Sequence, residues 1–155
     1  MPPVITPATL ADLPAILELL DGSKLPRAGL DAHVATTLVA KNGKQLVGTA
    51  ALELYGECAL LRSVAVAPEL RGQGLGQELT RHALALAHRH KIKSVYLLTE
   101  TAGGFFPRFG FRTIPRDAVD PAVQRSVEFT SACPASALVM RLELRPSAVG
   151  CQLMA

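Results

Sequence analysis

The segment that most restricts how this chain can fold is an almost charge-free strand that leads through a glycine-rich turn into a helix. Residues 59–66 read ALLRSVAV and contain a single charged side chain, Arg62. A strand of this kind is typical of the centre of a sheet that is covered on both faces. Pro68 ends it, and residues 71–76 read RGQGLG. A helix is predicted next, because apolar residues recur at helical spacing: Leu75, Leu79, Ala83 and Leu86.

Two hairpins are predicted ahead of this strand. The first joins residues 37–40 to 45–52 through Asn42-Gly43, a dipeptide that tolerates positive φ at both centres of a type I′ turn. The second turns near Gly56-Glu57 and ends in the central strand.

Helices and strands alternate in the rest of the chain. A first helix is predicted after Thr9 or Asp12, because both residue types cap helices. Residues 24–35 are predicted to form a loop with a short helical turn, a candidate wall of a substrate pocket. The remaining predicted elements are strands at 94–99 and 137–144 and helices at 102–109 and 120–130, and a short apolar stretch, Val4-Ile5, precedes the first helix. The pattern predicts an α/β fold with a mixed sheet flanked by helices.

Length and composition favour one globular domain. The chain has 155 residues, of which 49% are hydrophobic, so it is long enough to bury a core without disulfides or a metal. We expect a single domain at 1–145 and a tail at 146–155. No apolar stretch reaches the ~20 residues of a membrane span. The N-terminus lacks the order of a signal peptide, so we expect a cytoplasmic protein without a membrane partner.

Charge and cysteine content narrow the class of ligand. A net charge of +3 favours anionic ligands only mildly, and a 5% aromatic fraction without Trp does not indicate nucleic-acid binding. Cys58, Cys133 and Cys151 are widely spaced, which predicts reduced thiols and no metal site. A homodimer is compatible with the sequence.

The glycine-rich turn is the candidate binding site for phosphate. Glycines let the backbone approach a ligand closely, and the first N–H groups of the following helix attract anions. Position 77 is Gln, which excludes the dinucleotide-binding fingerprint, and no lysine follows Gly76 as in a P-loop. The remaining pattern, Arg-x-x-Gly-x-Gly, is short. Glycine-rich turns before helices also arise simply from φ requirements and capping.

The surroundings of this turn resemble the GNAT superfamily of acetyl-CoA-dependent N-acetyltransferases. The resemblance rests on VAVAPEL at 64–70, on the turn itself and on the stretch 102–111, and it covers residues 3–144. It implies a mixed, mostly antiparallel sheet of about seven strands, in which strands four and five splay apart. It also implies that the chain binds acetyl-CoA and transfers acetyl to an amine.

The resemblance assigns residues to the coenzyme. Val64 and Val66 would pair with the pantetheine arm, and the N–H of Val64 or Ala65 would stabilise the oxyanion. The pyrophosphate would lie on Arg71, Gly72, Gln73, Gly74, Leu75, Gly76 and Gln77. Thr99, Phe106 and Arg108 would complete the contacts.

Phe106 departs from the pattern of many members of the family. They carry Tyr at this position and use it to protonate the departing thiolate, whereas phenylalanine has no proton to donate. The same substitution resembles the acetyltransferase domain of N-acetylglutamate synthases. Residues 60–74 and 129–137 are also similar to small GNAT proteins of arsenic-resistance operons. These resemblances imply an amino-acid-like acceptor, such as glutamate or its analogues arsinothricin and phosphinothricin.

Glu53 and Glu100 are the candidate bases, because an ammonium must lose a proton before its nitrogen can attack. If Gly56-Glu57 forms a two-residue turn, Glu53 lies diagonally from Arg62. Glu53 would then accept the proton, either directly or through water, while Arg62 holds a substrate carboxylate; a structural salt bridge is the alternative. Cys133 and Ser136 are candidates for the acceptor pocket.

Two other functions remain open from the sequence. One is a non-catalytic module that binds acetyl-CoA. This function stays open because Phe106 replaces the tyrosine that protonates the thiolate in many members of the family. The other is acetylation of a protein or peptide terminus.

Overall fold

Seven strands and two α-helices form the framework of the computed structural model, which describes residues 2–100, 102–132 and 137–144. The strands are β1 (Val4–Pro7), β2 (Thr37–Asn42), β3 (Gln45–Tyr55), β4 (Cys58–Val66), β5 (Ser94–Thr99), β6 (Arg112–Ile114) and β7 (Leu138–Glu143). The helices are α1 (Leu13–Gly22) and α2 (Leu75–Arg89). The sheet has the order β1-β2-β3-β4-β5-β7-β6.

The pairing of the strands confirms the predicted fold class. β4 and β5 are parallel, whereas β1–β2, β2–β3, β5–β7 and β6–β7 are antiparallel. The sheet is therefore mixed and mostly antiparallel. The register of β4 and β5 matches Cys58–Leu60 with Ser94–Tyr96, the first three residues of each strand.

The chain divides into two structural units, of which the first contains residues up to Glu53 and the segment Leu61–Leu86. Its core includes Ile16 and Leu20, which lie one turn apart on the buried face of α1. Helix α2 lies close to β3, because a Cβ added to Gly48 would stand 2.8 Å from Cδ1 of Leu79. Glycine at this position therefore allows the close approach of α2 to the sheet.

The second unit contains Leu54–Leu60 and the residues from Ala87 onwards. Its core is built from Leu60, Tyr96, Val119, Val123 and Val139. The predicted single domain at 1–145 stays a prediction, and the predicted tail at 146–155 lies outside the described residues.

Both predicted hairpins are present, but the type I′ turn is wrong. Asn42 pairs with Gln45, so the centres of the turn are Gly43 and Lys44, and of these two only Gly43 has a positive φ, +60°. A positive φ at the first centre alone is the pattern of a type II′ turn. Gly43 adopts this positive φ without the steric cost that a side chain would add.

The predicted helix at 120–130 is also wrong. This stretch forms a 3₁₀ turn at Val123–Arg125 and a π-helical turn at Glu128–Ala132. Ser126 separates them with an extended ψ of 143°, and its Oγ accepts a hydrogen bond from the N–H of Glu128. Serine competes with helix formation through such local bonds, which explains the interruption.

Short turns occupy the other stretches between the regular elements. The predicted helix at 102–109 is reduced to a 3₁₀ helix at Phe106–Phe109, capped as predicted by Gly110 with φ +98°. A 3₁₀ segment at Leu30–Thr36 supplies the helical turn predicted for 24–35. None of the helices in the described part of the chain is long and apolar enough to cross a membrane.

Candidate active site

The glycine-rich turn leaves its backbone open. Gly72 and Gly74 have φ values of +79° and +90°, in the left-handed region that side chains disfavour. A Cβ added at either position would meet no protein atom within 4 Å. Each glycine therefore borders open space from which a ligand can reach the main chain.

The N-terminus of α2 follows this turn directly. The carbonyl of Gly74 accepts a hydrogen bond from the N–H of Glu78 (3.1 Å), the first bond of the helix. The N–H groups of residues 75–77 consequently have no carbonyl one helical turn earlier to bond to. They lie at the positive end of the helix dipole, which favours a phosphate group.

The side chains of Arg71 and Gln73 are exposed beside the turn. The Nε of Arg71 donates to the carbonyl of Val66 (3.1 Å), which ties the turn to the end of β4. The side-chain amide of Gln73 donates to the carbonyl of Glu69 at 3.5 Å. Both contacts help to hold the turn in shape.

A cavity of about 670 Å³ adjoins the same turn. It is lined by Pro2, Pro3, Ile5, Asn42, Leu70, Gln73, Gly74, Leu75, Glu78 and His82. These residues include a carboxylate and no lysine or arginine. Apart from the carboxylate of Glu78 and the imidazole of His82, the lining is apolar or neutral, so no lysine or arginine adds positive charge beside the turn.

A serine with a left-handed backbone interrupts β4. Ser63 is buried and has φ +59°, in the middle of a strand whose other residues are extended. Such a residue is strained and is typical of a β-bulge or a functional site. It directly precedes Val64 and Ala65, the predicted oxyanion donors, and the sequence analysis missed it.

Glu53 and Arg62 form the predicted pair. Nη1 of Arg62 lies 2.8 Å from Oε2 of Glu53, and the side chains are 0% and 1% exposed. An ion pair this deeply buried is stable only if further hydrogen bonds satisfy its remaining polar atoms.

The other bonds of Arg62 go to the protein itself. Nη1 also donates to the carbonyl of Ala28 (2.8 Å), Nη2 to the carbonyl of Pro26 (3.1 Å), and Nε to Oγ of Ser63 (3.1 Å). All three guanidinium nitrogens therefore donate to groups of the protein. Bidentate binding of a substrate carboxylate would require two parallel N–H groups. The geometry favours the structural salt bridge over the predicted substrate-binding role, and it ties the segment around Ala28 to β4.

A histidine that the sequence analysis missed lies beside this pair. Nε2 of His33 is 3.8 Å from Oε2 of Glu53, and the imidazole is 24% exposed. The sequence provides only a weak indication of a role for His33, because a single histidine in a predicted loop does not by itself indicate a functional residue. Its position within residues 24–35, the predicted wall of a pocket, was the available clue.

The remaining predicted residues belong to the second unit. Oγ of Thr99 accepts a hydrogen bond from the N–H of Ala102 (2.9 Å), and Glu100 is exposed directly after β5. Phe106 is buried against Phe111, and the exposed guanidinium of Arg108 lies 5.8 Å from the ring centre of Phe105. Cys133 and Ser136 lie outside the described residues.

Metal binding and thiol chemistry receive no support from the described residues. No group of three or more His, Cys, Asp or Glu side chains could hold a metal ion in the ranges that the structure covers. Burial, reinforced by the nearby carboxylate of Asp120, raises the pKa of the Cys58 thiol to about 11. That thiol is therefore a poor nucleophile near neutral pH.

Comparisons with known proteins agree with this geometry. An uncharacterised N-acetyltransferase of Chlorobaculum tepidum is 30% identical over 118 residues, which cover 71% of this chain and 76% of the relative. An amino-acid acetyltransferase of Mycobacterium tuberculosis is 32% identical over 125 residues, 72% of this chain and 70% of the relative. The chain matches only 27% of the length of an amino-acid acetyltransferase of Neisseria meningitidis.

A solved structure and a family model lead to the same assignment. The Mycobacterium tuberculosis protein Rv2747, crystallised in complex with CoA, superposes with a TM-score of 0.78 at 28% identity, covering 92% of this chain and 100% of that one. The model of the acetyltransferase (GNAT) domain matches residues 33–113, which include the glycine-rich turn. The chain therefore belongs to the GNAT acetyltransferase family.

Proposed function

We propose that this protein is an acetyl-CoA-dependent N-acetyltransferase that moves acetyl directly to the amine of a small, amino-acid-like acceptor. The observation that carries the proposal is the open backbone of Gly72 and Gly74 at the N-terminus of α2. The N-acetyltransferase and amino-acid acetyltransferase relatives support the reaction, and the relative crystallised with CoA supports the coenzyme.

The turn fits a pyrophosphate group. The N–H groups of residues 75–77 would hold it together with the backbone of 71–74, and the backbone of Val64 and Val66 would pair with the pantetheine arm. Bound in this way, the coenzyme supplies an activated acetyl thioester. The roles of Thr99, Phe106 and Arg108 rest on the family resemblance.

Glu53 is the proposed source of base catalysis. Its carboxylate is 1% exposed, so the proton from the acceptor has to reach it through an intermediate group. Arg62 fixes the position of this carboxylate through a contact of 2.8 Å. The N–H of Val64 or Ala65, next to the strained Ser63, is the proposed oxyanion donor. Glu100 is the second candidate base.

The proposed acceptor is glutamate-like, with arsinothricin and phosphinothricin as candidate analogues. Support comes from the amino-acid acetyltransferase of Mycobacterium tuberculosis and from the similarity to arsenic-resistance acetyltransferases. The segment around Pro26 and Ala28, held by Arg62, would form part of the acceptor pocket. Cys133 and Ser136 are proposed to contribute as well.

Calorimetric titration with coenzyme A tests the coenzyme site. Gly74→Glu places a charged side chain in the open space of the turn and should abolish saturable binding. Gly56→Glu is the matched control, because Gly56 has a similar φ of +66° and similarly open surroundings in the β3–β4 turn. If wild-type protein does not bind coenzyme A, or if both variants bind equally, the coenzyme assignment is wrong.

A non-catalytic module that binds acetyl-CoA is the second candidate, favoured by Phe106, which has no proton to give the thiolate. A mass-spectrometric screen of amino acids, arsinothricin, phosphinothricin and peptides, each incubated with acetyl-CoA, separates the candidates. The proposed enzyme yields acetylated amino acids or analogues. A binding module yields no product, and a peptide acetyltransferase modifies only the peptides.

A further inference from the structure

His33 connects the buried carboxylate of Glu53 to the surface. Nε2 of His33 lies 3.8 Å from Oε2 of Glu53, whose side chain is 1% exposed, while the imidazole itself is 24% exposed. An acceptor amine cannot contact a carboxylate that is buried to this degree. It can contact a ring of which a quarter is accessible.

The backbone holds His33 in a defined place. Its φ and ψ of −123° and 19° form a kink within the 3₁₀ segment Leu30–Thr36. The carbonyl of His33 accepts a hydrogen bond from Oγ of Thr37 at 2.8 Å, which anchors the kink to the start of β2. Arg62 fixes Oε2 of Glu53, the same oxygen that the imidazole faces. The backbone kink and this fixed carboxylate together position the histidine, as a proton-transfer group has to be.

We propose that His33 is the group that takes the proton from the acceptor's ammonium, with Glu53 as the carboxylate that orients it. This inference rests on the proposed acetyltransferase function and replaces direct proton transfer to Glu53. The arrangement follows the general logic in which an acid residue fixes the tautomer of a catalytic histidine.

The proton balance is complete. The ring nitrogen that does not face Glu53 takes one proton from the ammonium and leaves a neutral amine. The amine forms the new C–N bond as the C–S bond of the thioester breaks. The second nitrogen-bound proton passes to the departing thiolate, giving the free thiol of coenzyme A. The imidazolium then releases its proton to solvent through its exposed edge, so one proton is released for each acetyl group transferred.

Three charged groups lie near this imidazole in the contacts described. Glu53 of β3 faces it, Arg62 of β4 binds the same carboxylate oxygen, Oε2, and Asp31 lies two residues earlier on the same 3₁₀ segment. Variants of Glu53 therefore test directly whether this carboxylate orients the imidazole of His33.

Steady-state kinetics with L-glutamate and acetyl-CoA test the proposal. His33→Gln should lower kcat about 100-fold, remove the acid limb of the kcat/KM profile against pH, and leave coenzyme A affinity unchanged. Glu53→Gln should retain an acid limb, because the histidine is still present. The matched control is His90→Gln, an exposed histidine just beyond α2, which should behave as wild type.

The nitrogen NMR shifts of the imidazole give a readout that does not depend on turnover. The chain has four histidines, and loss of one signal in His33→Gln assigns this ring. With Glu53 present, the proton of the neutral ring should reside on Nε2, and Glu53→Gln should shift the balance of tautomers. An unchanged tautomer balance in Glu53→Gln would show that Glu53 does not orient the imidazole of His33.

Failure of the inference differs from failure of the proposed function. If His33→Gln keeps the kcat and the acid limb of wild type, while Glu53→Gln loses both, Glu53 is the base and the role of His33 is wrong. If wild-type protein binds coenzyme A but acetylates neither L-glutamate nor any other amine of the screen, the proposed enzymatic function itself is wrong.

Discussion

Arg62 shows how one residue can link a strand, a loop and a candidate catalytic group. It is buried and bonds to Glu53, to Ser63 and to the carbonyls of Pro26 and Ala28. A buried charge is expensive unless all its partners are in place. Here the cost is offset because all three guanidinium nitrogens have partners, and the result is a fixed carboxylate beside a partly exposed histidine.

Replacing Arg62 should therefore destabilise the protein strongly. Arg62→Met leaves Glu53 buried without its guanidinium partner and should lower the free energy of unfolding by about 3–5 kcal/mol. The double variant Arg62→Met, Glu53→Leu should recover part of this loss, because the unpaired charge is gone. Urea unfolding measures both.

Arg81→Met is the control for this substitution. Arg81 forms an exposed ion pair with Glu78 on α2, and its loss should change the unfolding free energy by less than about 0.5 kcal/mol. Equal effects at positions 62 and 81 would show that the buried pair contributes no more than a surface pair.

Asp12 gives a prediction for the dependence of stability on pH. A hydrogen bond from Lys41, together with the N–H of Thr9, holds the pKa of the Asp12 carboxyl below its ordinary value. A lowered pKa in the folded state means that the contribution is complete above the unfolded pKa, about 3.9, and is lost as the pH falls through the folded pKa.

Asp12→Asn should thus be less stable than wild type by about 1 kcal/mol from pH 7 down to about 5. The difference should narrow below about pH 4, as the wild-type carboxyl takes up its proton. Urea unfolding at several pH values measures the difference, and exposed Asp117→Asn is the control. A difference that stays constant down to pH 3 would contradict the assignment.

The two α-helices end in the same way, and the residue at the critical position is lysine in both. At the end of α2, the N–H of Lys91 bonds to the carbonyl of His88, and the N–H of Ile92 to that of Ala87. At the end of α1, the N–H of Lys24 bonds to the carbonyl of Asp21, and the N–H of Leu25 to that of Leu20. These are Schellman motifs, which require a left-handed residue that is usually glycine. Lys24 and Lys91 have φ values of +58° and +59°.

Glycine at position 91 should stabilise the protein. Lys91→Gly removes the steric cost of the left-handed conformation, and after the entropic cost of glycine we expect a gain of about 0.5–1 kcal/mol. The adjacent His90→Gly is the matched control and should lower stability, because that residue does not need a positive φ. Thermal and urea unfolding both report the change, and a loss of stability in Lys91→Gly would contradict the argument.

At the scale of the molecule, the sequence is most informative where an apolar pattern is long or where a backbone angle requires a particular residue type. The central strand, the glycine-rich turn and α2 could be predicted, because their apolar periodicity and φ requirements are local. β6 has only three residues and gave no periodic signal, and the helix predicted at 120–130 is absent because the chain turns to an extended conformation at Ser126.

The candidate site could be predicted only in part, for a related reason. Glu53 and Arg62 lie on strands joined by a two-residue turn, so simple geometry brings them together. The contact of His33 with Glu53 and the bonds from Arg62 to Pro26 and Ala28 depend on how an irregular segment folds back onto β3 and β4. No local rule specifies such a path.

Hydrogen exchange can test each group of proposed coenzyme contacts separately. The glycine-rich turn and the end of β4 belong to the first unit, whereas Thr99, Phe106 and Arg108 belong to the second. With coenzyme A at 100 times its Kd, amides that exchange only from the free protein should slow by about 100-fold. We expect this protection in peptides covering 64–77 and, if the three residues of the second unit are assigned correctly, also in 99–109. Gly74→Glu should show neither effect. Protection confined to 64–77 would exclude the second-unit residues, and its absence from 64–77 in wild-type protein would overturn the placement of the coenzyme.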